Sequence, residues 1–114
     1  MHEMSYCVRI VDEAIKACKE NSLENVSSVY VEVGRMTACV NELLIKAFDK
    51  AKKDTILENA NLVITNQDVV AFCEICNKEF KPSIENNYLC PICKGVQSRI
   101  VKGRDCIITR IEGE

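Results

Sequence analysis

The chain has 114 residues, enough for one ordinary domain or for a small domain that carries a smaller module. Its 15 Lys and Arg residues oppose 17 Asp and Glu residues, and this balance argues against a basic nucleic-acid-binding protein. Charged residues interrupt the apolar runs, so the sequence predicts neither a membrane-spanning helix nor a secretory signal, and we expect a cytoplasmic protein. The unusual feature is the presence of 8 Cys residues beside a single His and no Trp.

The first predicted element is an amphipathic helix over residues 5–21. Ser5 is the expected N-cap, since a hydroxyl oxygen can accept a hydrogen bond from a free amide of the first turn. Apolar residues recur at alternating steps of four and three, which is the spacing of one helix face. The predicted buried face consists of Met4, Val8, Val11, Ile15 and Cys18.

A strand and a second helix follow. Val29, Val31 and Val33 alternate with polar or half-polar residues, which predicts a strand with one buried face that ends at Gly34. Asn41 is the expected cap of the second helix, where an acidic first turn favours the helix dipole. The apolar face predicted for this helix consists of Leu43, Leu44, Ala47, Phe48 and Ala51.

Extended segments dominate the second half of the chain. We expect strands over residues 62–65, 69–72, 98–102 and 105–111, and the last has apolar residues on both faces, so we expect it to be central. The predicted fold is α+β, with a three-stranded sheet, two helices and an inserted zinc-ribbon-like module that contains two CxxC knuckles. We predict that residues 1–68 and 99–114 form one discontinuous domain and that residues 69–98 form the metal-binding domain.

The four cysteines of this module form two pairs, Cys73–Cys76 and Cys90–Cys93, with 13 residues between the pairs. Each CxxC turn directs two sulfur atoms toward one point, so two turns together complete a tetrahedron. Four thiolates leave no open position for water, and the predicted site is therefore a structural zinc site rather than a catalytic one. Tetrahedral sulfur also suits iron, so a small electron carrier stays open as an alternative.

The remaining cysteines show no paired spacing. Cys7, Cys18, Cys39 and Cys106 are predicted to be small, partly buried apolar residues. With one His in the whole chain, no Ser-His-Asp or Cys-His constellation is available, and we expect that the protein is not an enzyme.

The N-terminus offers a second metal site. The amine of Met1, the backbone amide of His2 and the His2 imidazole can supply three nitrogen donors in one plane, a geometry that Ni(II) and Cu(II) favour. The fourth position of this chelate is open, and Glu3 is the nearest candidate to occupy or orient it.

The opening residues Met1-His2-Glu3-Met4-Ser5 resemble those of the HypA family of hydrogenase maturation nickel metallochaperones. The resemblance continues over the segment from Val31 to Thr37, the Glu42-Leu43 helix start, both knuckles, and residues 103–106 with the Ile-rich segment after them, so it covers essentially the whole chain.

The resemblance implies a nickel-binding domain with an inserted zinc domain. It implies nickel ligation by Met1, His2 and Glu3, and zinc ligation by Cys73, Cys76, Cys90 and Cys93. It also implies transport of Ni²⁺ to the large subunit of [NiFe] hydrogenase, or to urease in some members. The expected partner is a HypB-type GTPase, with neither nucleic acid nor membrane, and the expected state is a monomer or a homodimer.

Three departures from the family pattern matter. No other His is available as a nickel ligand, Asp105-Cys106 replaces a Glu-Leu pair, and residues 38–41 read Ala-Cys-Val-Asn where some members have an Asp beside nickel. Cys39 is a possible substitute sulfur donor. The alternative function is a zinc-ribbon module for protein or nucleic-acid interaction without a nickel role.

Overall fold

The computed structural model describes residues 2–114. Its first helix, α1 (Glu3–Glu20), begins earlier than predicted, with His2 rather than Ser5 in the N-cap position. The early start follows from Glu3, whose carboxylate lies in the first turn, where the helix dipole favours negative charge. The same carboxylate accepts a hydrogen bond of 3.0 Å from the backbone amide of Val40.

The buried face of α1 differs from the predicted face. Met4 and Val8 were expected in the core, but they are 44% and 47% exposed. Steps of three and four also fit a neighbouring face, which keeps Val11 and Cys18 of the predicted set but has the small residues Cys7 and Ala14 in place of Met4 and Val8. The buried face consists of Glu3, Cys7, Ile10, Val11, Ala14 and Cys18.

The first sheet has the strand order β2-β1-β6. Strand β1 (Val26–Gly34) pairs in parallel with β2 (Asn61–Gln67), and α2 (Asn41–Ala51) connects them. On its other side β1 pairs antiparallel with β6 (Cys106–Gly113). The prediction of a three-stranded sheet with two helices is therefore confirmed.

The prediction that the last strand is central was wrong, since β1 is central and β6 is an edge strand. A register irregularity opposite Tyr30 and Val31 explains the misleading pattern. An extra residue in one strand changes which face the following side chains occupy. Ile108 and Ile111, three positions apart, therefore both pack against the core, while Ile107 is 49% exposed.

The core lies between this sheet and the two helices. Val29, Val31 and Val33 of β1 are buried as predicted, and Leu44 and Phe48 of α2 are fully buried. Val40 rather than Asn41 occupies the N-cap of α2, and no side chain of the cap residue bonds to the helix. Within residues 2–114, no helix is both long and apolar enough to cross a membrane.

A second, smaller sheet lies between β2 and β6 in the chain, with the order β4-β3-β5. It consists of β3 (Val70–Cys73), β4 (Lys78–Phe80) and β5 (Ser98–Lys102), and both pairings are antiparallel. The molecule extends over 52 × 28 × 16 Å. Its radius of gyration is 17.1 Å, and a compact domain of this length would have about 13 Å.

The division of the chain into two domains stays a prediction. The strand pairing places β5 beside β3, so the smaller sheet reaches to Lys102.

Two short 3₁₀ turns complete the fold, Arg35–Thr37 after β1 and Ile84–Asn86 after β4.

Candidate metal centres

The two CxxC turns have the same local backbone structure. In the first turn the amide of Asn77 donates to the carbonyl of Cys73 at 2.9 Å, and in the second the amide of Lys94 donates to the carbonyl of Cys90 at 2.9 Å. Asn77 and Lys94 both adopt left-handed backbone conformations, each with φ of 55°. The first turn joins β3 to β4, and the second precedes β5. Two equivalent turns therefore present their thiols to each other.

The four sulfur atoms of these turns lie within 4.8 Å of one another. The distance from Cys73 Sγ to Cys93 Sγ is 3.6 Å, and that from Cys90 Sγ to Cys76 Sγ is 3.9 Å. A tetrahedron with metal–sulfur distances of about 2.3 Å has sulfur–sulfur edges of about 3.8 Å. A disulfide would require about 2.0 Å, and all eight cysteines are free. The arrangement therefore fits a tetrathiolate metal site and does not fit a disulfide pair.

Backbone amides surround these sulfur atoms with hydrogen-bond donors. The amide of Cys76 donates to Cys73 Sγ at 3.4 Å, and the amide of Gly95 donates to Cys93 Sγ at 3.4 Å. Backbone amides of Cys93 and Ile92 lower the pKa of the Cys90 thiol to about 6. Desolvation, followed by hydrogen bonds with the neighbouring thiols, raises the pKa of Cys76 to about 12. The Cys90 thiol thus favours the thiolate form already, whereas a bound cation would displace the proton that Cys76 retains.

Zinc suits this donor set because four thiolates fill its tetrahedral coordination and no open position is left for water. The hydrophobic core of the surrounding module is also small. Among residues 69–102, the apolar side chains that are buried belong to Ala71, Cys73 and Cys90, and two of these three are ligand candidates. A metal ion held there would supply structural stability rather than reactivity.

Of the predicted nickel residues, His2 and Glu3 lie at the N-terminal end of α1. Met1 lies outside the described residues. His2 is exposed, and its carbonyl accepts a hydrogen bond from the Tyr6 amide at 3.2 Å. Glu3 is only 5% exposed, and its carboxylate binds the Val40 amide. Within residues 2–114, the knuckle cysteines are the only group of three or more His, Cys, Asp or Glu side chains whose ligand atoms approach within 4.8 Å.

Sequence reasoning missed the contact between Glu3 and Val40. A backbone amide donor leaves no signal in the sequence, whereas a capping side chain does. The contact places Val40 beside the start of α1, and the preceding residue, Cys39, is half-buried. Cys39 therefore lies in the same part of the molecule as His2 and Glu3.

Two further cysteines, one in α1 and one at the start of β6, are fully buried. Cys7 donates its thiol to the Leu44 carbonyl at 3.2 Å, and desolvation raises its pKa to about 12. Desolvation also raises the pKa of Cys106 to about 11. Both thiols stay protonated at neutral pH, which agrees with the prediction that they act as small apolar residues.

A second unpredicted contact secures the start of β6. Arg9 of α1 donates to Asp105 at 3.1 Å and also to the carbonyl oxygen of Cys106. The Arg9 bond is the main reason why the pKa of Asp105 lies below its usual range. Arg9 thus joins α1 to the start of β6, and this contact gives the acidic residue before Cys106 a structural role.

Residues 1–113 match the protein family described as hydrogenase/urease nickel incorporation, metallochaperone, hypA. The hydrogenase maturation factor HypA of Francisella philomiragia is 34% identical over 112 residues, which cover 97% of each chain. The factor of the same name from Chloroflexus aggregans is 33% identical over 112 residues, which cover 98% of each chain.

Solved structures share the fold. The solution structure of the Ni metallochaperone HypA from Helicobacter pylori matches 99% of this chain and 97% of that chain, with a TM-score of 0.79 and 24% identity. The family match and the two relatives confirm the resemblance predicted from the N-terminal residues and the knuckles. Because the family match spans almost every residue and two relatives exceed 30% identity over nearly their full lengths, this chain belongs to the HypA family.

Proposed function

We propose that this chain is a nickel metallochaperone, which binds Ni(II) through Met1, His2 and Glu3 and delivers it for [NiFe] hydrogenase maturation. Membership of the HypA family over residues 1–113 is the observation that carries this proposal. The relatives from Francisella and Chloroflexus are named hydrogenase maturation factors, and the Helicobacter pylori structure is titled a Ni metallochaperone.

The surroundings of His2 support the proposed chelate. His2 is exposed at the N-cap of α1, so its imidazole can turn toward an ion that the Met1 amine and the His2 amide also bind. Glu3 holds this end of α1 against the start of α2 through the Val40 amide. The start of α1 would therefore be fixed in place while the metal stays accessible to solvent. This arrangement suits a protein that must load and then release its cargo. Selection of nickel over copper would depend on geometry and supply, because the affinity order favours copper.

The zinc site has a separate role in this proposal. Cys73, Cys76, Cys90 and Cys93 would hold Zn²⁺ as a structural ion in the smaller module, whose own apolar core is minimal. A chaperone role without catalysis agrees with a chain that contains a single His. The proposed partners are a HypB-type GTPase and the hydrogenase large subunit, in the cytoplasm, with the chain as a monomer or a homodimer. Nucleic acid is not among the proposed partners.

The decisive experiment is nickel titration of the untagged, zinc-loaded protein by calorimetry and absorption spectroscopy. Wild type is compared with His2→Ala, with a variant that has one residue added before Met1, and with a control that has one residue added after Glu114. We expect about one Ni(II) per chain in wild type and in the control, with the absorption bands of planar Ni(II), and loss of both in the other two variants. Equal binding by all four proteins would place nickel elsewhere and contradict the proposed site.

A zinc-ribbon interaction module is the second candidate, because the smaller module exposes several apolar side chains. Ile75, Tyr88 and Ile92 are 60%, 62% and 64% exposed, and Ile84 and Val96 are 76% and 79% exposed. Tyr88 and Val96 line one pocket together, and contiguous exposed apolar surface can mark a protein-binding site. A zinc-loaded wild type that binds no nickel but binds DNA or RNA in a salt-dependent way would favour this candidate.

A further inference from the structure

Four exposed apolar residues border the line along which α1 and α2 meet, and together they form an apolar strip. Met4 and Val8 of α1 are 44% and 47% exposed. Val40, at the N-cap of α2, and Leu43, in its first turn, are 52% and 45% exposed. None of the four belongs to the core between the first sheet and the helices. Apolar surface of this kind on a helix pair needs a reason other than packing within the chain.

Two contacts show that α1 and α2 run side by side in the same direction. The Glu3 carboxylate accepts a bond from the Val40 amide at 3.0 Å, and the Cys7 thiol donates to the Leu44 carbonyl at 3.2 Å. An advance of four residues along α1 thus matches an advance of four residues along the other helix. The first two turns of both helices therefore lie next to each other.

The position of Arg9 shows which side of α1 faces α2. Arg9 reaches Asp105, directly before β6, at 3.1 Å. Viewed down the helix axis, Met4 and Val8 lie on the opposite side of the buried face from Arg9. Because Arg9 points toward β6, the side with Met4 and Val8 faces the neighbouring helix.

The position of Lys52 gives the same information for α2. Lys52 donates to the carbonyl of Ala60, directly before β2, at 2.8 Å. Leu43 lies on the opposite side of the buried face of α2 from Lys52, so it faces α1. Val40 already contacts the first turn of α1 through its amide. The four residues of the apolar strip are therefore contiguous, although they come from two helices.

Lysines without an ion partner lie on both sides of the apolar strip. They are Lys16 and Lys19 on α1 and Lys46 and Lys50 on α2. All four are exposed, and within residues 2–114 none of them forms an ion pair. Asp12 is an exposed acidic residue on the same edge of α1. The surroundings of the strip are thus positive, although the chain as a whole has a formal charge of −2.

We propose that the apolar strip docks an acidic amphipathic helix of a partner protein, which lies along α1 and α2 as a third helix. Apolar residues of the partner helix, at steps of three and four, would pack on the strip, and its Glu or Asp residues would pair with the lysines on either side. From Met4 to Lys19, α1 extends over about 22 Å, so a partner helix of about 14 residues would cover the surface.

The lysines argue against a second copy of the chain as the occupant. A symmetric pair of strips would place the same lysines of both copies opposite one another, where like charges repel. The strip also contains no aromatic residue, whereas helices that lie in a membrane surface commonly insert Trp or Phe. This inference goes beyond the proposed nickel delivery, since no residue of the strip is a proposed metal ligand.

Fluorescence anisotropy with the full-length, zinc-loaded protein tests the proposal. The probe is a labelled helical peptide of about 14 residues, with Leu at steps of three and four and Glu on both flanks of the Leu face. The control peptide has Lys in place of every Glu. We expect the acidic peptide to bind and the basic peptide not to bind. The affinity for the acidic peptide should fall about tenfold or more as the salt concentration rises from about 0.05 M to about 0.5 M.

Two pairs of variants locate the binding surface. Leu43→Gln should weaken binding about tenfold, because an apolar anchor is lost. Its matched control is Ile45→Gln, since Ile45 is 41% exposed on a different face of α2 and should leave binding unchanged. Lys46→Glu should weaken binding by a similar factor of about ten, while Lys78→Glu, in the smaller module, should not.

The proposal is overturned if wild type binds both peptides alike, or if Leu43→Gln and Ile45→Gln have equal affinity for the acidic peptide. Sedimentation with phosphatidylglycerol-containing vesicles and analytical ultracentrifugation of the protein alone test the other occupants. Vesicle binding or dimer formation that Leu43→Gln abolishes would assign the strip to lipid or to a second copy instead. Nickel titration of Leu43→Gln should match that of wild type, so failure of the proposed nickel site and failure of this inference are distinguishable.

Discussion

A side-chain carbon on Gly34 would lie 2.2 Å from the carbonyl oxygen of Gly103, so the end of β1 and the link between β5 and β6 pack without room for a side chain. Gly103 itself has φ of +83°, and a carbon on it would lie 2.5 Å from the carbonyl oxygen of Asp68. The large sheet is joined to the small one by the β2–β3 link at Asp68 and the β5–β6 link at Gly103. These two links are thus packed together at this point. The Met36 amide also donates to the Gly103 carbonyl at 3.0 Å.

Substitution of either glycine should therefore destabilise the junction. Gly34 has φ of −69°, which alanine adopts freely, so Gly34→Ala would create a steric conflict only, with an expected loss of about 1–3 kcal/mol in the free energy of unfolding. Gly103→Ala should lose more, because its positive φ adds backbone strain to a similar conflict. Urea denaturation of both variants, with the exposed Arg104→Ala as control, measures the effect. Equal urea midpoints for wild type, both glycine variants and Arg104→Ala would show that the backbone at the junction accepts a side chain without loss of stability.

Asp68 lies between β2 and β3, and its carboxylate forms ion pairs with a residue next to each of the two sheets. Its carboxylate accepts a bond of 2.5 Å from Arg35, which follows β1, and one of 3.3 Å from Lys81 of the smaller module. The Arg35 bond first, and the Lys81 bond second, lower the pKa of Asp68. Because the folded-state pKa lies below that of the unfolded chain, about 3.9, these pairs contribute fully above that pH and are lost as pH falls through the folded pKa.

We expect carbon-detected NMR titration to give an Asp68 pKa below the ordinary aspartate value. Arg35→Gln should raise it more than Lys81→Gln does, and Lys53→Gln, at an exposed position in another part of the chain, should leave it unchanged. Since the side chain of Asp68 is half exposed, the effect on global stability should be small. An Asp68 that titrates normally in wild type would mean that solvent screens both cations.

Removal of the proposed zinc ion should unfold the smaller module and spare the larger one. The module buries few apolar residues of its own, whereas Phe48, Leu44 and Leu57 belong to a continuous core between the first sheet and the helices. After treatment with a chelator, backbone amides of β3 and β5 should lose protection from hydrogen exchange, while those of β1 keep it.

Cys76→Ser should reproduce the effect of the chelator, and Cys18→Ser should not, because Cys18 lies outside the metal site. The junction at Gly34 and Gly103 limits how far the change can spread. A cooperative loss of protection in all strands would show that the zinc site also stabilises the larger sheet, and the two parts would then fold as one unit.

The elements whose signals are local were well predicted from the sequence. Valine alternation in β1 and the two CxxC pairs each depend on neighbouring residues; the strand is confirmed, and the four sulfur atoms lie within 4.8 Å of one another, as the spacing predicted. The face of α1 was predicted less well, because residues of similar hydrophobicity repeat at the same steps on two overlapping faces. Only packing against the neighbouring elements selects Cys7 and Ile10 over Met4 and Val8.

Long-range contacts made through the backbone could not be predicted. The sequence does not indicate that the Val40 amide binds Glu3, since the donor has no characteristic side chain. The irregular register between β1 and β6 likewise depends on how two distant segments pair, and it made an edge strand look like a central one. In both cases the missing information is the position of a segment more than 30 residues away.

Thr37 is the residue on which the shape of the loop that carries Cys39 depends most directly. It is buried, and its hydroxyl makes two bonds at once, to the Gly34 carbonyl and from the Cys39 amide. Thr37→Val keeps the side-chain shape but removes the hydroxyl, so that both backbone groups lose a partner. We expect a loss of about 1–3 kcal/mol in the free energy of unfolding, measured by urea denaturation.

Thr109→Val is the matched control, because Thr109 is exposed and makes one long bond of 3.4 Å to the Tyr30 carbonyl. This variant should unfold at nearly the same urea concentration as wild type. In Thr37→Val, the Cys39 thiol should also react faster with iodoacetamide, since the left-handed turn at Ala38 loses the bonds that maintain it. If Thr37→Val instead matched the control in both stability and thiol reactivity, the contacts from Glu3 and α2 would be sufficient to order the loop.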